Sequence, residues 1–175
     1  MTTTPKTILI TGCSTGIGHT TAVELKKRGH RVIATARKAE DVAHLAQSGF
    51  DALQLDLTDS TSIHAAVDAV LALTDGKLDA LFNNGAYGQP GAVEDLSRDA
   101  LREQFETNFF GTHELTNLLI PIMRRQGYGR IIYNSSASNK DVYVGSFGGT
   151  ETVTSGTLTL VQPSNGVGTS LLQLN

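Results

Sequence analysis

The chain has 175 residues, 39% of them apolar, with 18 glycines, one cysteine and a formal net charge of −3. That length suits one domain with a substantial core rather than two, and the composition is that of a soluble globular α/β protein with no basic face for nucleic acid. One cysteine excludes an internal disulfide framework, and the start MTTTPKTILITG has neither a leader pattern nor a membrane span; a cytoplasmic protein with no membrane partner is expected.

Short apolar runs rich in β-branched residues alternate with amphipathic stretches. The first strand is read in KTILITG (6 to 12), followed by a helix carrying Ile17, Ala22 and Leu25 and ending at Gly29. A second strand, HRVIATAR (30 to 37), leads to a helix with Val42, Leu45 and Ala46, and a third, FDALQLD (50 to 56), to one with Ile63, Val67, Val70 and Leu71 behind a cap at Asp59 or Ser60. After LDALFNN (78 to 84) the longest helix is expected from about Arg98 to Arg125, with Leu101, Phe105, Phe109, Thr112 and Leu119 down one side. GRIIYNSS (129 to 136) is the fifth strand. Regular β-α-β alternation implies right-handed crossovers and a parallel sheet covered on both faces.

The character changes after Ser136. Of the 39 residues from 137 to 175, Gly, Ser and Thr supply 17. ETVTSGTLTLV (151 to 161) reads as two short strands around a Ser-Gly turn, and the whole segment as an irregular or hairpin-like extension. The expected organisation is a dinucleotide-binding domain over 1–136 and a tail of unassigned role over 137–175.

The most specific motif is TGCSTGIG (11 to 18), directly after the first strand and opening the first helix. Gly12 permits a tight turn, Gly16 lets backbone approach a pyrophosphate, and Gly18 allows close helix packing, while the helix N-terminus offers unpaired N–H groups to the anion. Ser14, Thr15 and Ile17 complete the candidate cradle. Cys13 within it is either a thiol activated by the helix end or a small loop-lining residue. At the end of the second strand Ala36 removes the acidic acceptor that a ribose 2′-hydroxyl would use, and Arg37 offers a cationic fork to a 2′-phosphate; NADP is favoured over NAD.

TGCSTGIG, ATAR (34 to 37), LDLTD (55 to 59), NNGAYG (83 to 88), ETNFFGT (106 to 112) and GRIIYNSS, in that order, resemble the short-chain dehydrogenase/reductase family over about residues 5 to 136. The resemblance implies a reaction in which hydride passes between NADP(H) and a carbonyl or alcohol. It implies that Asp56 and Leu57 flank the adenine, and that Asn83, Gly85 and Ala86 border the adenine ribose and the nicotinamide side. NNGA transposes two small residues of the family's Asn-Asn-Ala-Gly. Asn108, a poor helix former, would anchor a water of the proton relay, or else be a locally bonded core amide. Ser136 would hold the substrate carbonyl, or with Ser135 merely cap the strand.

The family's proton donor is a tyrosine tuned by a lysine four residues on. Tyrosines stand at 87, 128, 133 and 143, followed four residues later by Gly91, Ile132, Ala137 and Phe147; the pair is missing. Tyr143 with Lys140 is the one substitute after the serines, in reverse order. The five histidines show no metal-ligand spacing. The fold expected is a three-layer Rossmann-type doubly wound sheet, truncated to about five strands in order 3-2-1-4-5. Three functions stay open: an NADP-dependent oxidoreductase, a catalytically silent NADP-binding module, and a truncated or recombined fragment. Self-association, or pairing of the tail with the fifth strand, is expected from the apolar side of 101–122 and the open edge of RIIYN.

Overall fold

The computed structural model describes residues 4–134 and, beyond them, the strands 142–148, 156–160 and 170–174. Five strands form the parallel core: β1 (Thr7–Ile10), β2 (Arg31–Ala36), β3 (Asp51–Gln54), β4 (Ala80–Asn83) and β5 (Tyr128–Asn134), in spatial order β3-β2-β1-β4-β5. The helices are α1 (Gly16–Lys27), α2 (Ala39–Gln47), α3 (Ser60–Leu73), α4 (Arg98–Phe105) and α5 (Thr112–Gln126). This is the doubly wound, three-layer Rossmann-type architecture, and the order reverses between β1 and β4.

Alternation along the strands divides the core in two. Leu9, Ile33, Leu81 and Ile131 face α3 and α5, packing with Ile63, Val67, Val70, Leu115, Leu119 and Met123. Ile8, Ile10, Val32 and Ala34 face α1 and α2, with Ala22, Leu45 and Phe50. Towards β4 and β5 the second face is less covered: Phe82 and Ile132 line a groove of about 700 Å³ beside Ile8 and Leu25.

One expectation needs correction. The long helix is not one α-helix, because Glu106–Gly111 forms a π-helical turn between α4 and α5. A π turn carries one extra residue, which rotates everything beyond it by about 100°. Leu101, Phe105 and Phe109 are therefore exposed (42, 55 and 57%), whereas Thr112 and Leu119 are buried; they do not share a side. In the tail, the strand Gly156–Leu160 (β7) pairs antiparallel with Ser170–Leu174 (β8); residues 151–155 of the expected hairpin lie outside the described residues. The edge of β5 is occupied by β6 (Val142–Gly148), antiparallel, with Tyr143 opposite Tyr133. Tail pairing, one of the two expected outcomes at that edge, is what the backbone shows.

Candidate functional site

β1 delivers the glycine-rich loop, and neighbouring strands hold it. Thr11 N donates to Phe82 O (3.0 Å) and Cys13 N to Thr35 O (2.7 Å), tying the loop to β4 and β2. Gly12 has φ +67°, a left-handed conformation, and a Cβ there would meet Gly85 Cα at 2.8 Å. A Cβ on Gly18 would overlap the Gly12 carbonyl oxygen and Asn84 Nδ2, so the first turn of α1 lies directly on the loop. Thr15, the N-cap of α1, makes no side-chain capping bond, and no acidic residue sits in the first turn. By contrast α2 carries Glu40 and Asp41 there, and Asp59 caps α3 through Thr61 N. The start of α1 is thus left with donors and a partial positive charge for an external anion.

The loop forms one wall of a cavity of about 770 Å³ at the carboxyl ends of the strands, beside the β1/β4 reversal. Thr11, Gly12 and Ser14 line it from β1, Thr35 to Arg37 from β2, Leu55 to Thr58 from β3, and Gly85 to Tyr87 from β4. Ala36 is buried and Arg37 exposed, and among the described residues no carboxylate pairs with Arg37. The Asp56 carboxylate accepts from Thr58 N (2.9 Å) and Thr58 Oγ1 (2.8 Å), which fixes its direction. Leu57 is buried, and its carbonyl would collide with any side chain at position 111, so Gly111 lets the end of the π turn close on this wall. Thr15, Gly16 and Ile17 are exposed at the start of α1 outside the cavity lining, and Gly18 is buried behind the loop.

Asn83 and Asn84 divide their work by strand alternation. Asn83 is buried and faces α5, with Nδ2 donating to Thr116 Oγ1 (3.1 Å); its Oδ1 has no partner. It is not among the residues that line the cavity. Asn84 turns to the glycine loop instead: Nδ2 donates to Thr11 O and Gly12 O (both 3.0 Å), while Thr11 Oγ1 accepts from the backbone N–H of Asn84 (2.9 Å) and Gly85 (2.7 Å). Asn134 Nδ2 donates to Asn84 Oδ1 (2.9 Å). Sequence reasoning missed Asn84 and Asn134. The signal for Asn84 was the Asn-Asn pair itself, whose members must face opposite ways; the wall residues Glu103, Glu106 and Thr107 carried none.

Asn108 lies in the π turn, and both ends of its amide meet the Tyr87 backbone: Nδ2 donates to Tyr87 O (2.7 Å) and Tyr87 N to Oδ1 (3.0 Å). This clamps the loop after β4 to the helix and leaves the second Nδ2 hydrogen and the second Oδ1 lone pair of a half-buried side chain for other partners. Ser135, Ser136 and Lys140 lie outside the described residues, as does the side chain of Tyr143. Cys13 is buried and its thiol is pushed up to about 12 by desolvation, against a lowering by Thr35, so it is a packing residue rather than an activated thiol.

A tyrosine and a lysine do meet elsewhere. Lys6 Nζ sits 4.9 Å from the Tyr128 ring centre, and both groups reach Asp79 Oδ1, at 3.1 Å from Lys6 and 2.6 Å from the Tyr128 hydroxyl. The cluster lies at the amino ends of β1, β4 and β5, opposite the cavity. Its phenol is also tuned the wrong way for a proton donor, since hydrogen bonding to Asp79, then burial and the carboxylate's charge, raise it. Among the described residues no group of three or more His, Cys, Asp or Glu could hold a metal, and no helix is long and apolar enough to cross a membrane.

Residues 6–147 match the family described as short chain dehydrogenase. The uncharacterized oxidoreductase YbbO of Escherichia coli is 45% identical over 131 residues, 75% of this chain and 49% of that protein. A short-chain dehydrogenase from Streptomyces avermitilis superposes with a TM-score of 0.71 at 37% identity, over 76% of this chain and 50% of the other. L-sorbose reductase from Gluconobacter frateurii, solved with NADPH and L-sorbose, gives a TM-score of 0.70 at 27% identity, over 76% and 53%. The chain spans about half the length of the curated relatives it matches.

Proposed function

The chain belongs to the short-chain dehydrogenase family, and on that premise we propose that it binds NADP(H) in the strand-end cavity while carbonyl reduction in this chain is absent or very weak. The observation that carries the binding half is the uncapped, acid-free start of α1 above a loop where Gly12 and Gly18 admit no side chain. That is a built anion cradle, and a pyrophosphate fits it. Gly12, Ser14, Thr15, Gly16, Ile17 and Gly18 would hold the pyrophosphate, Arg37 the 2′-phosphate, Asp56 and Leu57 the adenine, and Gly85 and Ala86 the nicotinamide side. The NADPH-bound L-sorbose reductase supports the choice of cofactor.

Bound NADPH would supply the hydride; the protein must still deliver a proton to the carbonyl oxygen. General acid catalysis contributes about 10²- to 10⁴-fold. The sequence has no Tyr-x-x-x-Lys, and Lys6 with Tyr128 stands at the opposite end of the sheet. A carbonyl or alcohol remains the substrate class if turnover survives.

The test pairs a thermal melt with a turnover panel. NADPH at about 100 times its dissociation constant should raise the unfolding midpoint by about 5 to 10 °C, while NADPH absorbance stays flat with aldehydes, ketones and quinones. Turnover that vanishes in Tyr143→Phe but survives in Tyr128→Phe would show instead that the tail rebuilds an active site. No thermal shift would remove the cofactor assignment.

A further inference from the structure

Two asparagine side chains, from the ends of β4 and β5, and two backbone carbonyls of the loop after β1 form a chain of amides in which each orientation dictates the next. The Thr11 and Gly12 carbonyls can only accept, and Asn84 touches both at 3.0 Å, so that end of its amide must be Nδ2. Asn84 Oδ1 then faces the end of β5, where Asn134 must present a donor, at 2.9 Å. Space leaves no alternative packing: a Cβ on Gly12 would lie 3.3 Å from Asn84 Nδ2, and one on Gly18 would overlap it. We propose that Asn134 is a positioning residue that locks the Asn84 amide and through it the backbone of the dinucleotide loop, coupling the end of β5 to the cofactor cradle. It does not line the strand-end cavity itself. Its effect on dinucleotide affinity rests on the NADP(H) reading above; the lock does not.

The chemistry separates a lock from mere packing. Asn134→Leu removes the donor and leaves the two loop carbonyls to orient Asn84. Asn134→Asp sets an acceptor against Asn84 Oδ1, which pulls the amide to turn over and would take Nδ2 away from Thr11 and Gly12. Loss of one neutral hydrogen bond weakens binding by up to about tenfold. The experiment measures NADPH affinity together with the ¹⁵N-edited NMR signals of the Asn84 side-chain amide in the full chain without cofactor. Asn134→Leu should lower affinity by up to about tenfold and keep both Asn84 protons protected from exchange. Asn134→Asp should lower it further, by about thirtyfold or more, with Asn84 shifted and deprotected. Equal affinities and unchanged Asn84 signals in Asn134→Asp would overturn the proposal. If the unmodified chain binds no NADPH, the cofactor reading fails alone and the Asn84 signals decide the lock. Should Asn134→Asp not fold, Asn134→Leu decides, since unaltered affinity and an unaltered Asn84 resonance position would contradict a donated bond.

Discussion

Asp79 shows how much one side chain can hold at the amino ends of the strands. Burial pushes its carboxyl up, but the Thr7 N–H, the Tyr128 hydroxyl and the Lys6 ammonium together outweigh burial and leave it below its ordinary value. The sign follows: a carboxylate whose folded pKa is depressed stabilises the fold above the unfolded value of about 3.9, and that contribution is lost as pH falls through the folded one. Asp79→Asn should therefore cost about 1 to 2 kcal/mol at pH 7 in urea unfolding and flatten the acid limb below about pH 4. A variant with the parent's stability at pH 7 and the parent's acid limb would show that Lys6, Thr7 and Tyr128 gain nothing from the charge. At this scale the sequence was legible where conformation decides, as at Gly12 and Gly18. It was less so where direction decides: Asn83 and Asn84 are one dipeptide, and only the strand's phase sends one to α5 and the other to the loop.

At the scale of elements, the five parallel strands were readable because short β-branched runs between helical patterns leave little other choice. The break between α4 and α5 was not. It places Asn108 against Tyr87, 21 residues away, a contact that no local periodicity encodes. Its consequence is a surface on which Leu101, Phe105, Phe109 and Phe110 are all exposed, with Phe109 against Phe105 and stacked on His113. Contiguous aromatic surface of this kind favours association. The chain should therefore show a concentration-dependent mass in light scattering, and Phe105→Ser combined with Phe109→Ser should return it to the monomer mass. A parent chain that stays monomeric at high concentration would contradict this.

Over the whole molecule, the reversal of strand order at β1 and β4 opens a crevice where no crossover helix can lie, and the loops after β1, β2, β3 and β4 converge on it. The sequence located that crevice through its glycines and through Ala36 and Arg37, and gave tail pairing as one of two outcomes at the β5 edge; it did not foresee the asparagine chain that braces the crevice. We propose that this crevice takes NADP(H) in preference to NAD(H). This is tested most directly by calorimetric titration of the purified chain with NADPH and NADH, repeated on Arg37→Ala. A charge-assisted contact contributes about 1.5 to 3 kcal/mol, so NADPH should bind the parent chain about tenfold or more tighter than NADH, and Arg37→Ala should remove most of that margin. Equal affinities for the two dinucleotides in the parent chain, or no binding of either, would contradict the account.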